Sequence, residues 1–507
     1  MGTYDDYKPL RNFLRNFPLQ EALNVTRAYV NYLQYNIPLP AYISGPWNTP
    51  VARETLGVHG WELDILAREI ILNCPERGNK SLYSWQQFSR AINMIKEIDN
   101  DIYAQYRHPH TENIWLSLFR LLHMQFPWQH PPNQHALLRY FRIFSADDLA
   151  PVLQSAIGLT AAELYTIGMA LTGNFMDQFG FNVDGCMEIP GIGAECFPQF
   201  LRHFSTDMAT IRNLTKDKQS YDQDWAYAFN PLRLFPLVHC QLDGRSVVTA
   251  PVPRFLFDRF TEGVFYDVCN TSGFDNAFGR SFQNYVGDVA QAVNEQGALT
   301  IVPEESYYVG GNRKDSIDWI ISDTSGDLFI ECKAKKLRWN AKSVLGSMML
   351  QEDLGTLADA VVQVYKTLQD ALDGHYPRWS ARNKPIYPLV ITLENWFIMH
   401  SEVYRFLDQE IAERMQAEGL NASMLSDYPY SVCTTGDFEL AIQVIENAGI
   451  EDVMRYRFEA DHRLWPIRSV FNHAATTRNI RPKQALFPDD FRKIHPAIST
   501  PLDRSME

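Results

Sequence analysis

The chain has 507 residues, 46% of them hydrophobic and 21% charged, with a formal net charge of −14. That length points to two or three domains, and the composition excludes extended disorder. No apolar run approaches the roughly 20 residues that span a bilayer, and the polar, acidic start from Met1 to Asp6 has no secretory-signal pattern, so a cytoplasmic protein that makes no membrane contact is expected.

Helical spacing begins near Trp61, with Leu63, Leu66, Ala67, Ile70 and Ile71 on one stripe. Ser84 with Gln87 reads as a capping box opening a helix through Ile92, Ile95 and Ile98. Further helices are expected over Glu112–Met124, Gln134–Ile143 and Asp147–Ile157. Thr160 with Glu163 forms a second capping box, leading a helix that Gly173 would close. One more helix is expected over Pro198–Leu214. No fixed-period repeat occurs, so residues 1–229 read as an irregular, mainly helical domain with a recognition or regulatory role.

The character changes after Asn230. β-type residues flank Asp243-Gly244, a hairpin signal, and Pro253 opens a helix, so 230–277 reads as a linking hairpin and helix. From Phe278 the expected order is helix, three strands, helix, strand, helix, over 278–458. The first helix carries a stripe of Phe282, Tyr285, Val286, Val289 and Val293. Strand regions follow at Ala298–Val302 with Tyr307–Val309, at Ser316–Ile321 and at Leu328–Lys333, with a turn at Ser322–Asp327. A helix over Leu354–Leu372 precedes a dense apolar strand, Tyr387–Leu393, expected to be central and buried. Residues 459–507 lack strong periodicity and are expected to pack on the preceding domain.

The residues with chemistry lie on the second and third of these strands. Glu331 and Lys333 are two apart and project from one face, while Asp318 sits among Ile317, Trp319, Ile320 and Ile321, where an unpaired carboxylate is costly. Cross-strand charge pairing on a solvated sheet face would account for Glu331 and Lys333 without catalysis. The basic run Lys333, Lys335, Lys336, Arg338 and Lys342 is either a solvated face or one wall of a local nucleic-acid groove, because a net charge of −14 argues against a broad phosphate-binding coat. The seven cysteines contain no Cys-x-x-Cys pair, and the histidines lack zinc-site spacing, so reduced thiols are expected and structural zinc is not.

An α-β-β-β-α-β order with Asp318 on the second strand and Glu331-x-Lys333 on the third resembles the PD-(D/E)XK nuclease superfamily, the fold of many restriction and repair nucleases. The resemblance implies an α/β class with a restriction-endonuclease-like core and a large N-terminal all-α domain. It implies a metal-dependent DNA endonuclease in which Asp318, Glu331 and the main chain of Cys332 hold Mg²⁺, with Mn²⁺ as a substitute, and Lys333 serves the attacking water. Two positions depart from the pattern: Ile317 stands where the family often has proline, and Phe282-Gln283 where its first helix often has Phe-Glu. Asp288, further along that helix, is a candidate replacement for the missing charge. The resemblance further implies that Gln363 and Lys366, on the helix after the motif, lie beside the DNA backbone, while Lys335, Lys336 and Arg338 are candidate DNA contacts from the basic run itself. It also implies a homodimer or a partner chain, and an analogy at fold level points to bacterial defence against foreign DNA. The rival expectation is a degenerate nuclease fold that binds nucleic acid or assembles without cutting.

Overall fold

A computed structural model describes residues 3–43, 56–106, 114–132, 134–183, 189–343, 348–483 and 485–495. The chain is a mixed α/β protein with a helical N-terminal region. Helices run over Thr3–Leu14, Leu19–Tyr35, Gly60–Asn73, Trp85–Tyr106, Ile114–Gln125, Gln134–Phe144, Ala150–Ile157 and Ala161–Asp177. Glu112, the expected start of the fifth, lies outside the described residues. The Thr160 capping box forms: Glu163 N–H donates to Thr160 Oγ1 at 3.3 Å, and Thr160 N–H donates to Glu163 Oε2 at 2.8 Å. This helix passes Gly173 and ends at Asp177. Its last turn is held from outside, because the Phe175 carbonyl accepts from Arg27 Nη1 at 2.8 Å and from Asn31 Nδ2 at 2.9 Å, so a glycine cap is not needed.

The single helix expected over Pro198–Leu214 is two, Cys196–Phe204 and Met208–Lys218, split by a short strand at Ser205–Asp207. Ser, Thr and Asp in succession compete with helical hydrogen bonds, and Asp207 Oδ1 caps the second helix by accepting from Thr210 N–H at 2.8 Å. That strand, β2, belongs to a four-stranded sheet with β1 (Phe181–Asn182), β3 (Leu237–Leu242) and β4 (Arg245–Thr249) in the order β1-β4-β3-β2. Asp243 and Gly244 turn between β3 and β4 with φ of 49° and 77°, as a two-residue hairpin turn requires. The segment 230–277 is well buried, contributing Leu237, Val248, Leu256 and Phe260 to one hydrophobic cluster and Leu232, Val238 and Phe255 to another.

A five-stranded sheet organises the rest. β5 is Thr300–Pro303, β6 Ser306–Val309, β7 Asn312–Asp315, β8 Trp319–Ser322, β9 Asp327–Lys333, β10 Ile386–Thr392 and β11 Ser431–Thr434. The sheet order is β11-β10-β9-β8-β5, with β8 antiparallel to both β5 and β9, and β10 parallel to both β9 and β11. β9 is therefore the central strand, and β10, buried along its whole length, lies next to it. Alternation sorts the side chains into two cores. Trp319, Ile321, Leu328 and Ile330 pack with the helices Phe274–Val293 and Thr435–Ala448 on one face. Ile320, Phe329, Ile386 and Val390 pack with Met348–Leu372 and Ser401–Ala417 on the other. Gly287 allows the first of these helices to approach β8, because a Cβ there would sit 2.1 Å from the Trp319 ring.

The first strand region differs from expectation in an informative way. β5 pairs with β8 in the register Pro303↔Trp319, and β6 pairs with β7 in the register Ser306↔Asp315. Between them Glu304 N–H donates to the Asp318 carbonyl at 2.8 Å, and Ser316 N–H donates to the Glu305 carbonyl at 3.0 Å. The two ladders are one long hairpin with a single extra residue, Ile317, on its second arm: a β-bulge immediately before Asp318. Gly310 and Gly311, with φ of 57° and 86°, turn the hairpin.

The C-terminal part forms helices Ile467–Thr477 and Pro488–Ile494. Val470, Phe471 and Ala474 join the core on the Thr435–Ala448 side of the sheet. The final helix also reaches the N-terminal region, where the Thr166 hydroxyl donates to the Ile494 carbonyl at 2.6 Å. A buried ion pair ties the halves together: Arg139 Nε and Nη2 donate to both oxygens of Glu439 at 2.6 and 2.8 Å, and Tyr285 Oη donates to Glu439 Oε1 at 2.8 Å.

Candidate active site

Asp318 lies at the start of β8, one residue beyond the bulge. Extending the Trp319↔Ile330 register by one step sets Asp318 opposite Glu331 on β9. Glu304, opposite Asp318 on the other side, completes a row of three carboxylates across β5, β8 and β9. Cys332 has no strand partner on the β8 side, and its N–H donates instead to Asp318 Oδ2 at 2.6 Å. In an extended strand a residue's carbonyl leaves on the same side as its N–H, so the Cys332 carbonyl faces the same space. Lys333 Nζ lies 3.2 Å from Glu331 Oε1. Its side chain is one-third exposed, whereas the Glu331 side chain is 11% exposed.

Electrostatically the row is under strain. Burial, reinforced by the Asp318 charge and only partly opposed by Lys333, pushes the Glu331 carboxyl up to about 8. Burial and the neighbouring Glu304 charge push Asp318 up to about 6 against the Cys332 N–H and Lys333. The Cys332 thiol is held well above its ordinary range by burial and by the same two carboxylates. One ammonium does not balance three carboxylates in a partly desolvated site.

Gln283 reaches the row from the helix on the opposite face. Its Nε2 donates to Glu304 Oε2 at 2.9 Å, and its main-chain carbonyl accepts from Trp319 Nε1 at 2.9 Å. Asp288 does not replace the missing helix carboxylate; it pairs with Arg142 at 2.8 Å. The third carboxylate is Glu304, which sequence reasoning did not single out. Part of the signal was present: Gly310-Gly311 between two alternating runs marks a two-residue hairpin, but its register alone sets Glu304 against Ile317, and only the extra residue at the bulge brings Glu304 opposite Asp318.

The basic run has its own partners. Lys335 Nζ sits 3.2 Å from Asp353 and donates to Thr356 Oγ1 at 2.8 Å. Arg338 pairs with Glu352 at 2.8 Å and Asp353 at 3.0 Å, and Lys342 pairs with Glu394 at 2.7 Å. Lys336 is buried, its Nζ between 5.4 and 5.6 Å from the rings of Tyr140, Phe265 and Tyr266 and donating to the Glu262 carbonyl at 2.8 Å. This side chain is inaccessible to DNA and corrects the expectation of a phosphate contact there. Trp339 continues the contact, edge-on to Phe229 at 5.1 Å. The segment thus straps the end of β9 to the helical region. Gln363 is half-buried on the Met348–Leu372 helix, and Lys366 pairs with Glu418 at 2.8 Å.

Among the described residues, no group of three His, Cys, Asp or Glu side chains converges as a preformed metal shell. No helix among them is long and apolar enough to cross a membrane. Compared with protein-family models, curated proteins and solved structures, the chain shows no match.

Proposed function

We propose that the chain is a metal-dependent nuclease of the PD-(D/E)XK kind, acting on DNA. Its αβββαβ core would be the Phe274–Val293 helix, β5, β8, β9, the Met348–Leu372 helix and β10. The observation that carries this reading is the apposition of Asp318 and Glu331, both with raised carboxyl pKa values, beside a lysine ammonium on a hydrophobic sheet. Titratable groups shifted by burial and by one another, set side by side on a sheet, are candidates for a functional site.

The donor chemistry fits a hard divalent cation. Asp318, Glu331 and the Cys332 carbonyl offer oxygen ligands, and the uncompensated negative charge of the row is what such an ion would offset. Mg²⁺, or Mn²⁺ in its place, supplies charge neutralisation at the phosphate and a more acidic water when bound. As an ammonium, Lys333 would orient the attacking water or offset charge developing on the phosphoryl oxygens; as the neutral amine it would instead take the water's proton. Glu304 and Gln283 orient the open side of the site through their mutual hydrogen bond. The helical region would recognise the target or regulate cutting, and a dimer or partner chain would deliver cuts in both strands, as in defence against foreign DNA.

The rival reading, a fold that binds nucleic acid without cutting, draws on Gln283 and on the lack of a three-ligand shell. Incubating purified protein with plasmid DNA, and separately with RNA, in Mg²⁺ or Mn²⁺ separates the two. The nuclease reading expects nicking or cutting that EDTA stops and that Asp318→Ala and Lys333→Ala each reduce at least about a thousandfold. Binding without cutting under every metal, by wild type and both variants alike, would establish the rival.

A further inference from the structure

The hairpin that carries Glu304 and Asp318 continues past them as the β6–β7 ribbon, and the two faces of that ribbon differ. The inner face is anchored. Tyr307 is buried, its hydroxyl donates to Asp370 Oδ2 at 2.7 Å, and Lys314 Nζ meets the same oxygen at 2.6 Å. The Tyr307 ring also packs edge-on against Tyr376 at 5.6 Å. The outer face has no such cover. Tyr308 is 67% exposed, and Arg313, its cross-strand partner, has a side chain 64% exposed. Ser306 Oγ accepts from Arg313 Nε and Nη2 at 3.1 and 2.8 Å, and Asp315 lies 3.2 Å away, so the guanidinium is held on that face.

A single exposed aromatic needs no explanation. A tyrosine opposite an arginine, on a ribbon whose other face is fixed and whose base is the carboxylate row, is a different matter. Arg313 is five residues from Asp318, roughly 16 Å along an extended strand, about the rise of five stacked nucleotides. An exposed ring offers a stacking surface to a base whose face is open, and a guanidinium beside it matches a phosphate.

We propose that the outer face of the β6–β7 ribbon is a binding site for unpaired nucleic acid. Tyr308 stacks on a base, and Arg313 contacts the adjoining phosphate, on the strand leaving the Asp318–Glu331 site. The placement of that strand rests on the nuclease reading. The substrate class it adds is DNA with an unpaired stretch about five nucleotides from the scissile bond.

The test uses full-length Lys333→Ala protein, which holds substrate without cutting it, and a fluorescein-labelled 20-nucleotide single strand with its blunt duplex for comparison. The single strand is expected to bind at least about tenfold more tightly than the duplex. Tyr308→Ser and Arg313→Ser are each expected to weaken single-strand binding about five- to twentyfold, with Tyr308→Phe restoring it. In the cutting-competent protein, Tyr308→Ser is expected to raise KM more than it lowers kcat. Both side chains are exposed, so matched melting temperatures verify the fold. Unchanged binding in both serine variants, or a preference for duplex, overturns the proposal. If wild type cuts while the ribbon variants bind and cut like it, the ribbon fails alone. If nothing is cut yet single-strand binding depends on Tyr308 and Arg313, the nuclease reading fails and the ribbon stands.

Discussion

Two of the places where the fold buries charge handle it in opposite ways. At the junction of the two halves, Glu439 receives both arms of the Arg139 guanidinium and the Tyr285 hydroxyl, all within 2.8 Å. Where β8 begins and β9 ends, Asp318 has one backbone N–H, Glu331 has one lysine, and a third carboxylate faces them. The first cluster is matched donor for acceptor, which is how a buried ion pair holds two elements together. The second is left short of positive charge, which a structural pair has no reason to be.

The sharpest way to break this contrast is to cut into both clusters. Asp318→Asn should remove cleavage by at least about a thousandfold while leaving the melting temperature unchanged or higher, because it deletes a charge that burial penalises. Arg139→Met should do the reverse. It strands the Glu439 carboxylate and should destabilise the protein by about 3–5 kcal/mol whatever metal is present, measured by chemical denaturation. If Asp318→Asn unfolds the protein and Arg139→Met leaves it stable, the assignment of roles to the two clusters is inverted.

Much of the sheet was legible in the sequence because its alternation is strict. Leu328 and Ile330 face one core and Phe329 the other, so the strand and the shared face of Glu331 and Lys333 follow from period two alone. The bulge at Ile317 was not legible. An extra residue changes which side chains are neighbours without changing composition, so Glu304 went unnoticed although it stands opposite Asp318. The basic run was ambiguous for another reason. A charged side chain looks the same in sequence whether it meets solvent, phosphate or a carboxylate. The partners of Lys335, Lys336 and Lys342 are Asp353, the Glu262 carbonyl and Glu394, which only the fold brings near.

A smaller effect tests the electrostatic half of the contrast directly. The Glu331 carboxyl sits at about 8 in the folded chain against an ordinary value of 4.5. A carboxyl raised by folding leaves stability intact below its unfolded value, and stability is lost as pH rises through the folded one. Glu331→Gln removes that loss. Its advantage over wild type should be absent near pH 4, grow through pH 6, and level off above about pH 8 at roughly 2–4 kcal/mol. Denaturation curves at pH 4, 6 and 8.5 measure it, and saturating Mg²⁺ should erase much of the difference by stabilising wild type alone. A constant difference across pH would mean that the substitution acts through packing.

The smallest expected effect belongs to Glu304, and it decides how far the site extends. Glu304 is exposed, so its charge is screened, yet it is one of the groups that raise both Asp318 and Glu331. Glutamine at this position keeps a carbonyl able to accept from Gln283 and removes only the charge. If Glu304 helps to attract a divalent ion, Glu304→Gln should weaken Mg²⁺ binding by about tenfold, or about 1.4 kcal/mol. The Asp318 pKa should move down at the same time, since one of the charges raising it is gone. Titration calorimetry with Mg²⁺ reads the first change, and the pH dependence of that binding reads the second. If the Asp318 shift appears without any loss of Mg²⁺ affinity, Glu304 is a neighbour that the bulge happens to set beside the site. Both changes together would make the row across β5, β8 and β9 the functional unit, with the bulge at Ile317 as the device that aligns it.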